Sequence, residues 1–315
     1  MNLYKICQIT EHISDVFIGM QIKKRVKHAK LAYGLNQANV RNTKIIVSLT
    51  TYNKRYESIY LSLKSLLLQT VKPDKIIVWL DDDIPENKIT PEMSSLKEYG
   101  IEYRHTNLNL KPHTKYYYTM QEFPDDIVIT VDDDIIYPQN MIKELMTAYE
   151  KYPNTICARR VHLITFDENG ELKNYNDWKY EYRHLKTPSY LLCATGVGGV
   201  LYPPHILPRE TFVINDIKKL CLTADDIWLK VMETKNKVKV VWAKNHLVLP
   251  PFTKKSQEIG LNKENVVLNE NDKFICTLQQ EYPSVFKFLA HSNRFYYTRR
   301  WIEGNKEGMK YGRGI

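Results

Sequence analysis

Residues 125–135 read DDIVITVDDDI, a run of β-branched residues that leads into three consecutive aspartates. The segment DDIVITV at 125–131 is short and rich in Val, Ile and Thr, which is typical of a buried β-strand. Asp132, Asp133 and Asp134 follow where that strand ends. In open parallel sheets ligands bind at the carboxyl ends of the strands. The segment therefore predicts an α/β sheet and also the position of a site.

The upstream sequence repeats this arrangement. Strands are predicted in KIIVSLTTY from residue 44, in KIIVWL at 75–80 and in GIEYRHT at 100–106, and a helical pattern follows each one. Strands that alternate with helices predict βαβ units and a mostly parallel sheet flanked by helices. The first strand runs into the polar turn TTYNKR, and the second ends in Asp81-Asp82-Asp83. We expect both clusters at the edge that holds the three aspartates.

The chain is predicted to consist of a central domain, 42–251, with helical extensions at 1–41 and 252–315. Within the central domain, ICARRVHLI (156–164) is predicted to be one strand. The C-terminal extension is polar and includes the basic aromatic stretch FYYTRRW (295–301).

The N-terminal extension has an amphipathic helical pattern. A basic run at 23–30 comes after an apolar stripe at three- and four-residue steps, formed by Ile6, Ile9, Ile13, Phe17 and Met20. The pattern predicts either a helix packed on the central domain or one that contacts a membrane surface or a partner.

Composition limits the class of protein. The 315 residues are 43% hydrophobic and 26% charged, which excludes a disordered or collagen-like chain. Lys and Arg number 45 against 36 Asp and Glu, and this net charge of +9 suggests an anionic partner. The five cysteines are widely spaced and predict buried thiols rather than a disulfide framework or zinc site. Because signal-peptide features and long apolar stretches are absent from the sequence, we expect a cytoplasmic protein, soluble or peripheral to a membrane.

The aspartate triplet has the pattern of a metal site. Residues two apart in an extended chain point the same way, so Asp132 and Asp134 direct two carboxylates to one point. Mn²⁺ and Mg²⁺ bind such oxygens, usually together with substrate phosphates. An acidic loop without a metal is the alternative interpretation.

Three further features are candidates for chemistry. TGVGGVLYPP (195–204) matches neither a dinucleotide fingerprint nor a P-loop, and its glycines allow backbone to approach a ligand closely. In ADDIWLK (224–230), Asp225 and Asp226 stand at a predicted helix start with Thr223 as the N-cap. They either cap the helix or provide a general base. His246, after a predicted strand, is a candidate metal ligand.

Taken in order, TTYNKR, the two strand-end aspartate clusters, TGVGGVLYPP, ADDIWLK and His246 resemble nucleotide-sugar glycosyltransferases of the GT-A fold. The resemblance covers about residues 44–250 and is closest to bacterial enzymes of capsule and surface-polysaccharide biosynthesis. It implies a Rossmann-like sheet and a hexosyl- or N-acetylhexosaminyltransferase. The implied donor is a nucleotide-sugar, a UDP-sugar by default, and the implied acceptor is a saccharide or lipid-linked saccharide.

The resemblance also assigns roles to residues. Asp132 and Asp134 match the DXD motif that holds Mn²⁺ or Mg²⁺ on the donor diphosphate, and His246 matches a histidine that ligates the metal in some members. Asp226 matches the catalytic base of the "xED" motif, with Asp225 where Glu is usual. The positions implied to contact the donor are Thr51, Tyr52, Arg55, Asp81, Asp133, Gly196, Gly198 and Gly199. Relatives with such an aspartate pair include inverting and retaining enzymes, and both outcomes stay open.

Other functions fit the sequence less well. A sugar-nucleotide nucleotidyltransferase would share the sheet and the metal, but it usually carries a glycine-rich signature after the first strand, where this chain has LTTYNKR. A nucleic-acid-binding protein would account for the net charge of +9. Its polyanion would, however, be repelled by the acidic clusters, and no RRM, KH or helix-turn-helix pattern is present. An inactive saccharide-binding relative would not need the complete DXD motif or Asp226.

Overall fold

The computed structural model describes residues 3–38, 40–80, 89–245, 251–253 and 270–294, with side chains from residue 15 onward except that of Asn53. Nine strands are assigned in these ranges: β1 (Ile45–Thr51), β2 (Lys75–Leu80), β3 (Ile101–His105), β4 (Ile127–Thr130), β5 (Thr155–Ala158), β6 (Val161–Leu163), β7 (Leu192–Ala194), β8 (Val200–Tyr202) and β9 (Lys239–Trp242).

Seven of these strands form the main sheet in the order β3-β2-β1-β4-β8-β5-β9. β1 lies between β2 and β4 and is parallel to both, with Thr51 beside Leu80 and Ile45 beside Ile127. Only β8, among the described strands of this sheet, runs antiparallel to its neighbours. This mixed, mostly parallel sheet confirms the predicted fold class.

Helices cover both faces of the sheet. They are α1 (Leu3–His28), α2 (Tyr60–Leu67), α3 (Pro91–Ser95), α4 (Thr114–Glu122), α5 (Met141–Lys151), α6 (Ile214–Leu220), α7 (Asp225–Lys235) and α8 (Glu270–Glu281), and residues 283–294 are also helical. Within the described residues no helix is both long enough and apolar enough to cross a membrane.

The inner strands β1, β2 and β4 are mostly apolar because each buries both of its faces, as strands of parallel sheets do, whereas the edge strand β3 is only partly buried. Ile45, Val47 and Leu49 of β1 pack with α2 and α5 in one core, and Ile46 faces the opposite side. The second large core joins α4 and α7 to the far strands and includes Ile275, Leu278, Val285 and Leu289. Helical residues of the C-terminal extension therefore pack on the central domain.

Two local predictions were wrong. ICARRVHLI is not one strand: it divides at Arg159 and Arg160 into β5 of the main sheet and β6, which pairs with β7 in a separate two-stranded sheet. The division follows from the Arg159 side chain, which donates to Glu144 and to the Gly198 carbonyl. The thiols are also not uniformly buried, since Cys276 on α8 is exposed, while those of Cys157, Cys193 and Cys221 are buried and free.

Candidate active site

The aspartate triplet lies at the carboxyl edge of the sheet, directly after β4. The side chains of Asp132 and Asp134 are 25% and 15% exposed, whereas Asp133 between them is 5% exposed. Asp133 and Asp134 lie in a turn and both approach Arg55, whereas Asp132 approaches Lys115, so a common direction for Asp132 and Asp134 stays a prediction. Tyr137 fixes the turn, because its hydroxyl accepts a hydrogen bond of 2.8 Å from the Asp132 amide.

Lys115 of α4 connects the triplet to α7. Its ammonium lies 2.8 Å from Oδ1 of Asp132 and 2.9 Å from Oδ2 of Asp225, and its side chain is 6% exposed. Burial by itself would lower the pKa of Lys115, but Asp132, Asp225 and Asp226 outweigh burial and raise it well above its ordinary value. Lys115 is thus a charged member of the site. Lys115 belongs to no recognisable sequence motif and is only one cation in the helix that follows β3.

Asp226 faces the glycine segment. Its two carboxylate oxygens lie 3.1 and 3.3 Å from the amide of Gly196, which donates to them. The helix cap predicted at Thr223 is wrong, because α7 begins at Asp225 after Ala224 and no side chain caps it. The Asp226 carboxylate therefore binds the glycine segment across the site.

Each glycine of this segment has a different reason to be glycine. A Cβ on Gly196 would lie 2.9 Å from the Lys115 ammonium and 3.0 Å from Oδ1 of Asp132. A Cβ on Gly198 would lie 2.8 Å from the backbone nitrogen of Arg160. Gly199 has φ +88°, a conformation that other residues rarely adopt. Close approach explains the first two glycines, and backbone conformation explains the third.

The first polar turn contacts the same triplet. Arg55 pairs with Asp133 and lies 3.2 Å from Oδ2 of Asp134, and its guanidinium is 5.4 Å from the ring centre of Tyr52. Thr51, at the end of β1, is buried. The structure thus brings TTYNKR to the aspartates, as the strand order predicted, and Arg55 neutralises carboxylates there.

The site holds more negative than positive charge. Its described cations are Arg55 and Lys115, and its carboxylates are those of Asp132, Asp133, Asp134, Asp225 and Asp226. Burial and the negative charge of Asp133 raise the pKa of Asp134 to about 7. Burial, and then Asp225, raise the pKa of Asp226 well above its ordinary range. Ionising all five carboxylates would leave an excess of three negative charges, which a divalent cation would relieve.

Not all of the predicted donor-binding and metal-binding residues belong to the part of the chain that the structure describes. Asp81 and His246 lie outside the described residues. Within the described ranges, no three His, Cys, Asp or Glu side chains form a group that could hold a metal ion. Asp132 and Asp134 are oxygen donors of the kind that Mn²⁺ and Mg²⁺ prefer, and both are partly open to solvent. The excess negative charge and this donor type fit a divalent cation.

Comparison with protein families gives a match over residues 46–201, to the family described as glycosyl transferase family 2. The chain carries a glycosyl transferase family 2 domain. This is a glycosyltransferase domain, and its mixed, mostly parallel sheet with flanking helices is the GT-A fold. The family 2 match includes the aspartate triplet and the glycine segment, while Asp225 and Asp226 follow it in the chain.

Solved structures and curated proteins were also compared with this glycosyltransferase. One similar structure is the mannosyltransferase PcManGT from Pyrobaculum calidifontis in complex with GDP-Man and Mn²⁺. It has a TM-score of 0.42 and 11% identity, and the match covers 76% of this chain and 66% of that one. Another is 4-diphosphocytidyl-2C-methyl-D-erythritol synthase, with a TM-score of 0.40, 10% identity, and coverage of 69% and 96%. Comparison with curated proteins found no match.

Proposed function

We propose that this glycosyltransferase moves a sugar from a nucleotide-sugar to a saccharide acceptor with the help of Mn²⁺ or Mg²⁺. One observation carries the proposal. Asp132 and Asp226, which are far apart in sequence, lie on either side of Gly196, and Lys115 connects them electrostatically. A candidate metal-binding carboxylate and a candidate base thus lie beside one glycine, whose lack of a side chain lets Lys115 and Asp132 approach the backbone closely.

Asp132 and Asp134 would hold the metal, with His246 as a further ligand. When bound, a divalent metal neutralises the negative charge that develops on a nucleoside diphosphate as the glycosidic bond breaks. Arg55 and Lys115 are supporting cations, since each already contacts these carboxylates. Preorganised positive charge near a leaving group is often the largest single contribution to catalysis.

Asp226 is the proposed base. Its carboxylate is partly exposed and accepts a hydrogen bond from a backbone amide, so it is held in place where an acceptor hydroxyl could reach it. Asp225 is more buried and is paired with Lys115, so we assign it a positioning role in the catalytic pair. This division applies to an inverting reaction. In a retaining one, Asp226 would instead stabilise positive charge on the sugar.

The proposed donor site extends from β1 to the glycine segment. Thr51, Tyr52, Arg55 and Asp81 are assigned to the nucleoside, Asp133 holds Arg55 in place, and Gly196, Gly198 and Gly199 face the sugar. On the basis of the family resemblance, UDP is the proposed nucleotide of the donor. A hexose or an N-acetylhexosamine is the proposed sugar.

The proposed acceptor is a saccharide, lipid-linked at the inner face of a bacterial cell membrane, in the synthesis of a capsule or another surface polysaccharide. This part rests on the family resemblance of the ordered motifs. It is consistent with a cytoplasmic enzyme that has peripheral contact with an anionic membrane and does not bind nucleic acid.

A donor-hydrolysis screen tests the function. UDP-, GDP- and CDP-sugars are incubated with the protein and Mn²⁺, and release of the nucleoside diphosphate is measured with and without EDTA. We expect one donor class to be hydrolysed and EDTA to abolish the reaction. Release of pyrophosphate from a nucleoside triphosphate and a sugar phosphate would instead identify a nucleotidyltransferase.

Asp134→Ala and a matched control complete this test. The variant should lose nearly all activity and bind Mn²⁺ more weakly, as measured by the electron paramagnetic resonance signal of free Mn²⁺. Asp125→Ala, an exposed aspartate before the other end of β4, should change neither. Full turnover in EDTA, or an active Asp134→Ala variant, would contradict the metal-dependent mechanism.

A further inference from the structure

The outward face of α1 exposes large apolar side chains. Val16 is 53% exposed, and Phe17 and Met20 are each 59% exposed, which is unusual for three neighbouring large side chains on one helix face. Phe17 and Met20 belong to the apolar stripe seen in the sequence. The interpretation in which that stripe packs on the central domain is therefore wrong for these two residues.

The opposite face of α1 fixes the helix to the domain. Asp15, Gly19 and Val26 are buried, and the Lys64 ammonium of α2 donates to the carbonyl of Lys27 at 3.0 Å. Gly19 lies against Pro251, whose ring carbons would be 3.5 to 3.8 Å from a Cβ placed on this glycine. The exposed apolar side chains therefore point away from the protein in a fixed direction.

Positive charge is concentrated in and just after this helix. Residues 16–56 contain nine Lys and Arg and neither Asp nor Glu. The rest of the chain has 36 cationic and 36 acidic side chains, so the whole net charge of +9 comes from this stretch. Lys24, Arg25 and Lys27, one and two turns after Met20, are exposed. The basic character of the protein is thus local rather than diffuse.

We propose that the outward face of α1 docks on an anionic lipid bilayer. Val16, Phe17 and Met20 would enter the boundary between headgroups and acyl chains, and Lys24 and Lys27 would contact lipid phosphates. Helices that lie in a membrane surface combine an apolar patch with adjacent cations in this way. A neutral bilayer would satisfy only the apolar part, so charge complementarity selects anionic lipid.

Docking through α1 would place the candidate active site next to the bilayer. Lys23 of α1 donates to the carbonyl of Phe252 at 3.4 Å. The adjoining Thr253 amide donates to the carbonyl of Asp134 at 2.8 Å. A single segment, 251–253, therefore separates α1 from the aspartate triplet. This geometry suits an acceptor held at the membrane, although the docking itself does not depend on the proposed function.

Sedimentation with vesicles tests the proposal. The full chain is mixed with vesicles of phosphatidylcholine alone or with 30% phosphatidylglycerol, at low and at high salt. We expect pelleting only with the anionic vesicles and release at high salt, because screening weakens contacts between exposed charges. Lys24→Glu/Lys27→Glu and Phe17→Ser/Met20→Ser should each weaken partitioning by roughly tenfold or more.

Two controls make each outcome decisive. Lys218→Glu/Lys219→Glu makes the same charge change at two exposed lysines of α6 and should leave binding unchanged. Donor hydrolysis without vesicles should be equal in all variants, so that failure to dock is distinguished from failure of the enzyme. No pelleting with anionic vesicles, or equal loss in the α6 variant, would overturn the proposal. So would a dimer in light scattering that Phe17→Ser/Met20→Ser disrupts, since α1 would then bind a second copy.

Discussion

Replacing Gly196 by alanine should inactivate the enzyme without unfolding it. The added methyl carbon would lie 2.9 Å from the ammonium of Lys115 and 3.0 and 3.2 Å from the carboxylate oxygens of Asp132. Gly196 does not have a positive φ, unlike Gly199, so alanine brings no backbone strain of that kind. The substitution therefore tests the space in front of the carboxylates and little else.

The size of the effect follows from how tightly these groups are held. Ordinary contacts begin near 3.4 Å, so the methyl group and the ammonium must separate by about 0.5 Å. Lys115 cannot retreat freely, because Asp132 and Asp225 hold its ammonium at 2.8 and 2.9 Å. A misplacement of about 1 Å at a catalytic centre can cost about 10²-fold in rate. For half that displacement we expect a loss of roughly 10- to 100-fold in kcat.

The assay compares kcat and the thermal midpoint of three proteins. The matched control is Gly170→Ala, a glycine with φ +84° in an exposed turn remote from the aspartates. Alanine is strained there, at a cost of about 1–3 kcal/mol in the free energy of unfolding. Gly170→Ala should therefore lower the thermal midpoint and keep kcat. Gly196→Ala should keep the thermal midpoint within a few degrees and lower kcat.

The opposite pattern would refute this reasoning. If Gly196→Ala retains kcat within a few-fold of the parent, no reacting group needs the space in front of Asp132 and Lys115. The glycine segment would then serve packing alone.

Three other substitutions probe charge in and near the site. Asp226→Asn keeps an acceptor for the Gly196 amide but removes the base, so kcat should fall 10²- to 10⁴-fold while the donor Kd, measured by calorimetry, stays constant. Lys115→Met leaves two carboxylates without their buried partner and should lower the free energy of unfolding by about 3–5 kcal/mol in urea titrations; an unchanged midpoint would contradict the bridging role. Burial lowers the pKa of His113 to about 4. Between pH 6.5 and 4 this histidine is therefore protonated in the unfolded chain but neutral in the folded protein, so stability falls as the pH is lowered. The parent should lose about 3 kcal/mol more stability over that range than His113→Gln, and parallel pH profiles would contradict this.

The fold was predictable because its signals are local. β1, β2 and β4 are each an apolar run that leads into a polar cluster, and hydrophobic periodicity marks the helices between the strands. Parallel pairing then brings TTYNKR and Asp132–Asp134 to one edge, with Thr51 at the end of the strand beside β4. The break at Arg159 was not predictable in this way, because its cause is contact with Glu144 and Gly198, which are distant in sequence.

The helix start at Asp225 shows that the position of an acidic pair in the sequence does not reveal which groups its carboxylates contact. The sequence offered two roles for this acidic pair, capping of α7 or chemistry. Position alone cannot separate them, because a helix N-terminus favours negative charge in either case. In the structure Lys115 binds Asp225 and the Gly196 amide binds Asp226, and neither carboxylate caps the helix. The contacts of the two carboxylates are made with partners that lie 110 and 30 residues away in the sequence. A sequence motif based on local spacing cannot predict such contacts.

The negative charge of the aspartate triplet is partly balanced by cationic side chains of the protein itself. A triplet of aspartates after a strand implies a cation, and a metal is the cation that the motif suggests. The structure adds two protein cations at the triplet, Arg55 from the turn after β1 and Lys115 from α4. They balance part of the negative charge, which allows the carboxylates to be buried together at all. Burial, and after it the negative charge of Asp133, raises the pKa of Asp134 to about 7. A metal and the two side chains therefore contribute to one charge balance, and removing either side chain would leave more uncompensated negative charge at the triplet.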